Sequence, residues 1–224
     1  MVARARTPAA LAAPLVTAKA RGRPRTKAAD VRREELMDAA QGLFLAKGIA
    51  ATSVDDIVAA AGVAKGTFYL YFSSKEMLLL ALRERFVTSF CTLAGQALSR
   101  PRADHWRARL RAWTRACVHA YLDQVALHDL VFHDFQPHHR QATCHNPVVE
   151  EFAEFLNAGV RAGAWTLDQP RLTALMFCHA LHGAVDDAVA GGAPDRRRLV
   201  QGIGDFFERA LALPPESSAA RRPV

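Results

Sequence analysis

Between positions 61 and 76 the chain runs Ala-Gly-Val-Ala-Lys-Gly-Thr-Phe-Tyr-Leu-Tyr-Phe-Ser-Ser-Lys-Glu, and its side chains sort by what they can touch. Lys65, Gly66 and Thr67 bring a cation, a bare stretch of backbone and a hydroxyl into one short turn, a set suited to the donor and acceptor edges of base pairs. Tyr69 and Leu70 follow on the same outward side, where an aromatic ring and a leucine are wasted unless they meet something such as a thymine methyl. Phe68 and Phe72, four apart, share the other face and point inward. Lys75 and the helix start at Thr52 and Ser53 offer ammonium and amide donors to phosphate oxygens, because a helix N-terminus carries partial positive charge.

Two short helices must position these groups. Thr52 and Ser53 open the first, with Asp55 and Asp56 three residues on from each, the spacing of a capping box. Val54, Ile57, Val58 and Ala61 give it an inner face, Gly62 turns the chain and Val63 plugs the corner. The second runs from about Ala64 to Phe72, and its N-terminal turn is the part of a helix-turn-helix that enters a major groove. The sixteen-residue string closely resembles the signature of the TetR family of transcriptional repressors. The resemblance covers about residues 30–80; beyond it, only the helix count and the Ala162-Gly163-Ala164-Trp165…Asp168 turn are similar. It implies a homodimer with an N-terminal three-helix DNA-binding domain and a C-terminal domain of about six helices, the last two forming a four-helix dimer interface. On that basis Lys65, Gly66, Thr67, Tyr69 and Leu70 lie in the groove, and Thr52, Tyr71 and Lys75 take phosphates.

Apolar residues keep helical spacing almost to the end and no alternating β-branched run is long enough for a strand, so the fold class is all-α. Helices are predicted at about 29–47, 52–62, 64–72, 74–101, 103–122, 124–134, 147–162, 169–190 and 195–212. The expected division is a basic arm at 1–28, a DNA-binding domain at 29–75, a ligand-binding and dimerisation domain at 76–213 and a frayed tail at 214–224. The 224 residues allow one large domain or a small one joined to a medium one. With 50% hydrophobic and 23% charged residues, the chain can bury a core and is neither a disordered nor a disulfide-dense type. The net charge of +7 is carried by Arg4, Arg6, Lys19, Arg21, Arg23, Arg25 and Lys27, with no acid among them, which leaves the body neutral. A basic arm on a neutral body suits a polyanion. Arg21-Gly22-Arg23-Pro24-Arg25 resembles an AT-hook core, against which stands a solvated arm adding non-specific affinity. The segment from Thr7 to Ala18 imitates a signal peptide, but Pro8 and Pro14 break its apolar run, so a cytoplasmic protein is expected. No apolar stretch approaches the roughly 18–20 residues that span a bilayer.

In the C-terminal half, Trp106, Leu110, Trp113, Cys117 and Tyr121 form one helical stripe. Phe86, Phe90, Phe132, Phe152 and Phe155 match it from neighbouring helices, with Met176, His179 and His182 on the inner stripe of the next. Mostly this is core, yet the same residues can line an apolar cavity with a few polar anchors, and the effector expected is a largely hydrophobic or aromatic molecule. Leu172, Leu175, Val185, Val189, Leu199, Ile203, Phe206, Phe207 and Leu211 present more apolar surface than one subunit plausibly buries, which predicts a two-fold dimer. The effector is expected to act on DNA by tilting the single helix that begins near Ser74.

Two alternatives stay open, a metal-responsive regulator and, more remotely, an enzyme. His133, His138, His139, Cys144 and His145, with Cys178, His179 and His182, hold enough N and S donors for Zn or Cu, although no spacing is decisive. Cys91, Cys117, Cys144 and Cys178 form no C-x-x-C pair and have no adjacent Lys or Arg, which argues against a zinc module and a thiol switch. No catalytic motif is present, so an enzyme would need Glu150, Glu151, Glu154 or the histidines to converge, and those glutamates read more simply as a solvated helix face. No cofactor is expected.

Overall fold

Helical spacing of apolar residues becomes nine α-helices and no strand among the described residues, 29–132 and 146–213, of a computed structural model. They are α1 (Ala29–Lys47), α2 (Val54–Ala61), α3 (Lys65–Tyr71), α4 (Lys75–Ser99), α5 (Trp106–Asp123), α6 (Val125–Phe132), α7 (Pro147–Arg161), α8 (Pro170–Ala190) and α9 (Arg196–Ala210). The predicted bounds hold to within a few residues, and the stops are the expected ones. Gly62 follows α2 at φ 64°, a left-handed conformation that costs glycine nothing. Ser74 caps α4, and Pro147 and Pro170 each sit in a first turn. The basic arm with its Arg21–Arg25 cluster, the His133–His145 stretch with Cys144, and the tail from Pro214 lie outside the described residues.

The helices enclose two cores. The first joins Leu36, Met37 and Phe44 of α1, Ile57 of α2 and Phe68 of α3 to Leu78, Leu82 and Phe86 of α4, and to Leu130 and Val131 of α6. The first half of α4 and the last turns of α6 thus pack with the N-terminal helices. This corrects the single-helix linkage, since α6 also bridges to the C-terminal half. Arg85 reinforces the joint by donating from α4 to Glu34, Asp38 and Gln41 of α1 at 2.8, 2.7 and 2.8 Å.

The second core is an aromatic stack. Trp113 lies flat on Phe152 with ring centres 3.8 Å apart, and Phe177 lies flat on Phe207 at 4.1 Å. Trp165 donates its indole N–H to the Leu156 carbonyl at 2.8 Å and fills the place where a side chain on Gly159 would fall. Arg107 and Arg111 of α5 ion-pair with Glu208 of α9, and Arg111 also reaches Asp205 at 3.2 Å, fixing α9 against α5.

This packing redraws the outer face of α8 and α9. Val185, Ile203, Phe207 and Leu211 are buried in the single chain, so they are core and not surface for a partner. Leu175, Val189 and Leu199 are half-buried against that core. Leu172, Met176 and Phe206 are exposed at 44, 55 and 48%, and Met176, expected inside, belongs to this outward face with His179. We expect Phe207→Ala to cost about 3–5 kcal/mol in denaturant unfolding, because it empties a fully packed site. Phe206→Ala in the monomeric chain should cost less than about 1 kcal/mol.

Candidate nucleic-acid interface and effector region

The α2–α3 pair is set by two buried residues, Ile57 and Phe68, neither with any exposed surface. Burying Phe68 at one point of a helix with 3.6 residues per turn forces its neighbours outward. Tyr69 is 53% exposed and Leu70 80%, with Lys65 and Gly66 also exposed and Thr67 half-exposed. Tyr69 is steadied by an edge-on contact with Phe68, ring centres 5.3 Å apart. The five residues expected in a groove therefore share one open face. Tyr71 instead is half-buried and packs against the first core.

The expected phosphate donors are placed differently. Thr52 is buried, and its hydroxyl donates to the Gly48 carbonyl at 2.8 Å, which corrects its expected role at the backbone of DNA. Ser53 is exposed but engaged: its Oγ and its amide both donate to Asp56 Oδ2, at 2.8 and 2.9 Å, and its Oγ accepts from the Asp56 amide at 3.1 Å. The predicted capping box thus forms from Ser53 and Asp56, and α2 supplies an anion of its own at its N-terminus. Lys47 donates to the same Asp56 oxygen at 2.8 Å, and with Ser53 it holds the Asp56 carboxyl far below the usual range. Lys65 donates to Asp55 at 3.0 Å, which raises its own pKa. Lys75 donates to the carbonyls of Ile49 and Thr52 at 2.7 and 2.9 Å, tying the start of α4 to the α1–α2 turn. The Asp55–Lys65 and Lys75–carbonyl contacts were invisible in the sequence, because their partners lie 10 to 26 positions apart on different elements.

In the C-terminal half, the structure separates the residues expected around an effector. Trp113, Cys117, Phe152 and Phe155 are buried in the second core, the first two rings in direct stacking, while His179 faces outward. Phe86, Phe90, Phe132 and His182 gather elsewhere, around a group that periodicity alone did not single out. His128 of α6 is buried, with ring centres 4.2 Å from Tyr121, 5.0 Å from Phe132, 6.0 Å from Phe86 and 4.9 Å from His182. The Tyr121 hydroxyl donates to Asp186, and burial with this carboxylate pushes its pKa up. His182 Nε2 lies 3.3 Å from the other Asp186 oxygen, a pair readable at i, i+4.

Burial raises the Cys117 thiol and pushes Cys91 to about 11 and Cys178 to about 12, so none is an activated thiolate. Among the described residues no three His, Cys, Asp or Glu side chains are grouped to hold a metal ion. Of the glutamates, Glu150 pairs with Arg171 at 2.7 Å and Glu154 is exposed. Glu151 is half-buried against the bare face of Gly95 and is not part of a solvated face; desolvation raises its pKa. No helix among the described residues is long and apolar enough to cross a membrane.

α2, the Gly62 turn and α3 form a helix-turn-helix set on a helical bundle. A family model for bacterial regulatory proteins of the tetR family matches residues 36–82, and one for the tetracyclin repressor-like C-terminal domain matches residues 105–206. The chain belongs to the TetR family of transcriptional regulators. It is similar to the transcriptional activator FasR of Mycolicibacterium smegmatis, 40% identical over 96 residues that make up 43% of this chain and 41% of FasR. It spans under half the length of the curated relatives it matches. Its fold is similar to that of the fatty acid degradation regulator FadR from Bacillus halodurans, with a TM-score of 0.66 and 21% identity over 79% of this chain and 94% of that one. It is also similar to SmeT in a complex with triclosan, with a TM-score of 0.62 and 20% identity over 80% and 91% of the two chains.

Lys75→Met should lower stability by about 1–3 kcal/mol in denaturant unfolding, since it strips two carbonyls of their shared donor. It should weaken operator and random DNA alike while leaving the salt dependence of binding unchanged. A salt slope lowered by about one unit would instead make Lys75 a phosphate contact.

Proposed function

We propose that this chain is a ligand-responsive repressor that binds a pseudo-palindromic operator in the cytoplasm as a homodimer and is released by a small hydrophobic or aromatic effector. One observation carries the DNA-binding half: α3 buries Phe68 completely while leaving Tyr69 and Leu70 open beside Lys65, Gly66 and Thr67. Those five residues meet base edges in the major groove. Residues 29–75 with the start of α4 form the DNA-binding domain, and the rest of the bundle binds effector and partner. The dimer is supported by Leu172, Met176 and Phe206, exposed apolar groups on α8 and α9. It sets the two recognition helices about 34–36 Å apart, or one further turn of DNA.

The effector region is the Tyr121, His128, His182 and Asp186 group with Phe86, Phe90 and Phe132, where polar anchors stand beside aromatic walls. It supports this reading better than the surroundings of Trp113, which are filled by stacked rings. An effector there acts on DNA through both α4 and α6, since Phe86, Leu130 and Val131 belong to the first core. SmeT, of similar fold, is known in complex with the apolar aromatic triclosan, which favours the same effector class. A metal-responsive reading has no group of donors among the described residues to rest on.

DNA selected from a random pool should yield one pseudo-palindrome, and no substrate should be turned over. Tyr69→Ala should weaken binding to that operator by about 1–3 kcal/mol in mobility shifts while changing random-DNA binding less. An equal loss on both DNAs would leave Tyr69 a positioning residue only. Phe206→Arg should sediment as a folded monomer at micromolar concentration and lose the operator; a persisting dimer would place the interface elsewhere. Any compound that releases the operator must bind the DNA-bound protein less well by the same factor, typically about 5–150-fold.

A further inference from the structure

Residues 29–75 carry five basic and six acidic side chains, so positive charge on the DNA-binding helices is scarce and its aim matters. Four of the five cations are tied away from α3's open face. Arg32 pairs with Glu35 and Arg33 with Glu34, Lys47 pairs with Asp56, and Lys75 is bound to carbonyls. Lys65 alone stands in the first turn of α3. Its ammonium lies 2.9 Å from one Asp55 oxygen and 3.0 Å from the other, so both carboxylate oxygens embrace one cation across the helix-turn-helix corner. Asp55 is not consumed by capping, since Ser53 and Asp56 close the α2 cap between themselves.

An exposed pair of this kind adds little to stability, with Lys65 and Asp55 side chains 54 and 68% accessible. Its effect falls on how the lysine is used. A free lysine is a point charge on a flexible stem, and any phosphate satisfies it, which adds affinity without sequence information. A lysine whose ammonium is held by both Asp55 oxygens still keeps an N–H for the O6 or N7 acceptor of a guanine, and the carboxylate itself repels phosphate.

We propose that Asp55 is a specificity-determining positioning residue, which holds Lys65 at the base edges and denies it to the phosphates. The inference rests on the placement of α3 in the major groove proposed above. Asp55 is distinct from the groove-facing residues, because it touches Lys65 and not DNA.

The test uses the full chain carrying Asp55→Asn, with dissociation constants measured across a salt series on the selected operator and on a random duplex of equal length. Random-DNA affinity should rise, with a salt slope steeper by about one unit. Operator affinity should rise less or fall, so that the ratio between the two drops about fivefold or more. In a Lys65→Met background, Asp55→Asn should leave the ratio unmoved, because the residue acts through the lysine. An equal gain on both DNAs, or the same loss of ratio with Lys65 absent, would overturn the proposal by reducing Asp55 to general charge. Thermal unfolding checks that the variant is folded. Should it not be, Lys65→Met alone reports on the same contact by lowering the ratio, and an unchanged ratio there also overturns it. If the wild-type chain shows no sequence preference, the functional reading itself fails, an outcome distinct from a preserved preference that ignores Asp55.

Discussion

The complete burial of Phe68 is the constraint on which the surface of this protein depends. One aromatic ring locked among α1, α2 and α4 fixes the rotation of a seven-residue helix about its own axis, and with it the direction of every other side chain on α3. So short a helix has no stability of its own, since isolated helices below about 12–15 residues are marginal in water. Its open face, with Tyr69 and Leu70 carrying apolar surface into solvent, is maintained only because the opposite face is anchored. The electrostatics follow from that placement. With α2 and α3 fixed, Asp55 and Asp56 reach Lys65 and Lys47 across the corner, and Lys75 seals the α1–α2 turn from behind.

The two cores communicate through helices that belong to both. α4 contributes Leu78, Leu82 and Phe86 to the first core and Ala94 and Leu98 to the second. α6 presses Leu130 and Val131 into the first core, while its His128 lies tilted against Tyr121 and His182 of α5 and α8. His128 is thus connected to the first core through both α4 and α6. The aromatic stack of Trp113, Phe152, Phe177 and Phe207 is too closely filled to give way.

Where the signal was local, the sequence disclosed the structure. Helix bounds, the Ser53–Asp56 cap, the Gly62 turn and the exposure of Tyr69 and Leu70 all depend on residues a few positions apart. What stayed hidden depends on how helices face each other. Periodicity put Phe206 and Phe207 on one apolar stripe, and only the packing of α9 on α5 and α8 shows that Phe207 is core and Phe206 is surface. Met176 and His179 fit an inner stripe by spacing but face outward in the packed helix, and Thr52 turns inward to the carbonyl of Gly48. His128, a lone histidine in a short apolar helix, has no distinguishing spacing in the sequence; its partners come from α4, α5 and α8.

In the proposed dimer, two copies of α3 read base edges in successive major grooves on one face of DNA. Methylation protection of guanine N7 on the selected operator tests it most directly, since that atom lies in the major groove. Such a dimer leaves two symmetry-related patches of protected guanines, centred about 10 base pairs or a further whole turn apart, with no protection between them. A single protected patch, or tight binding that leaves every major-groove N7 open to methylation, would contradict it.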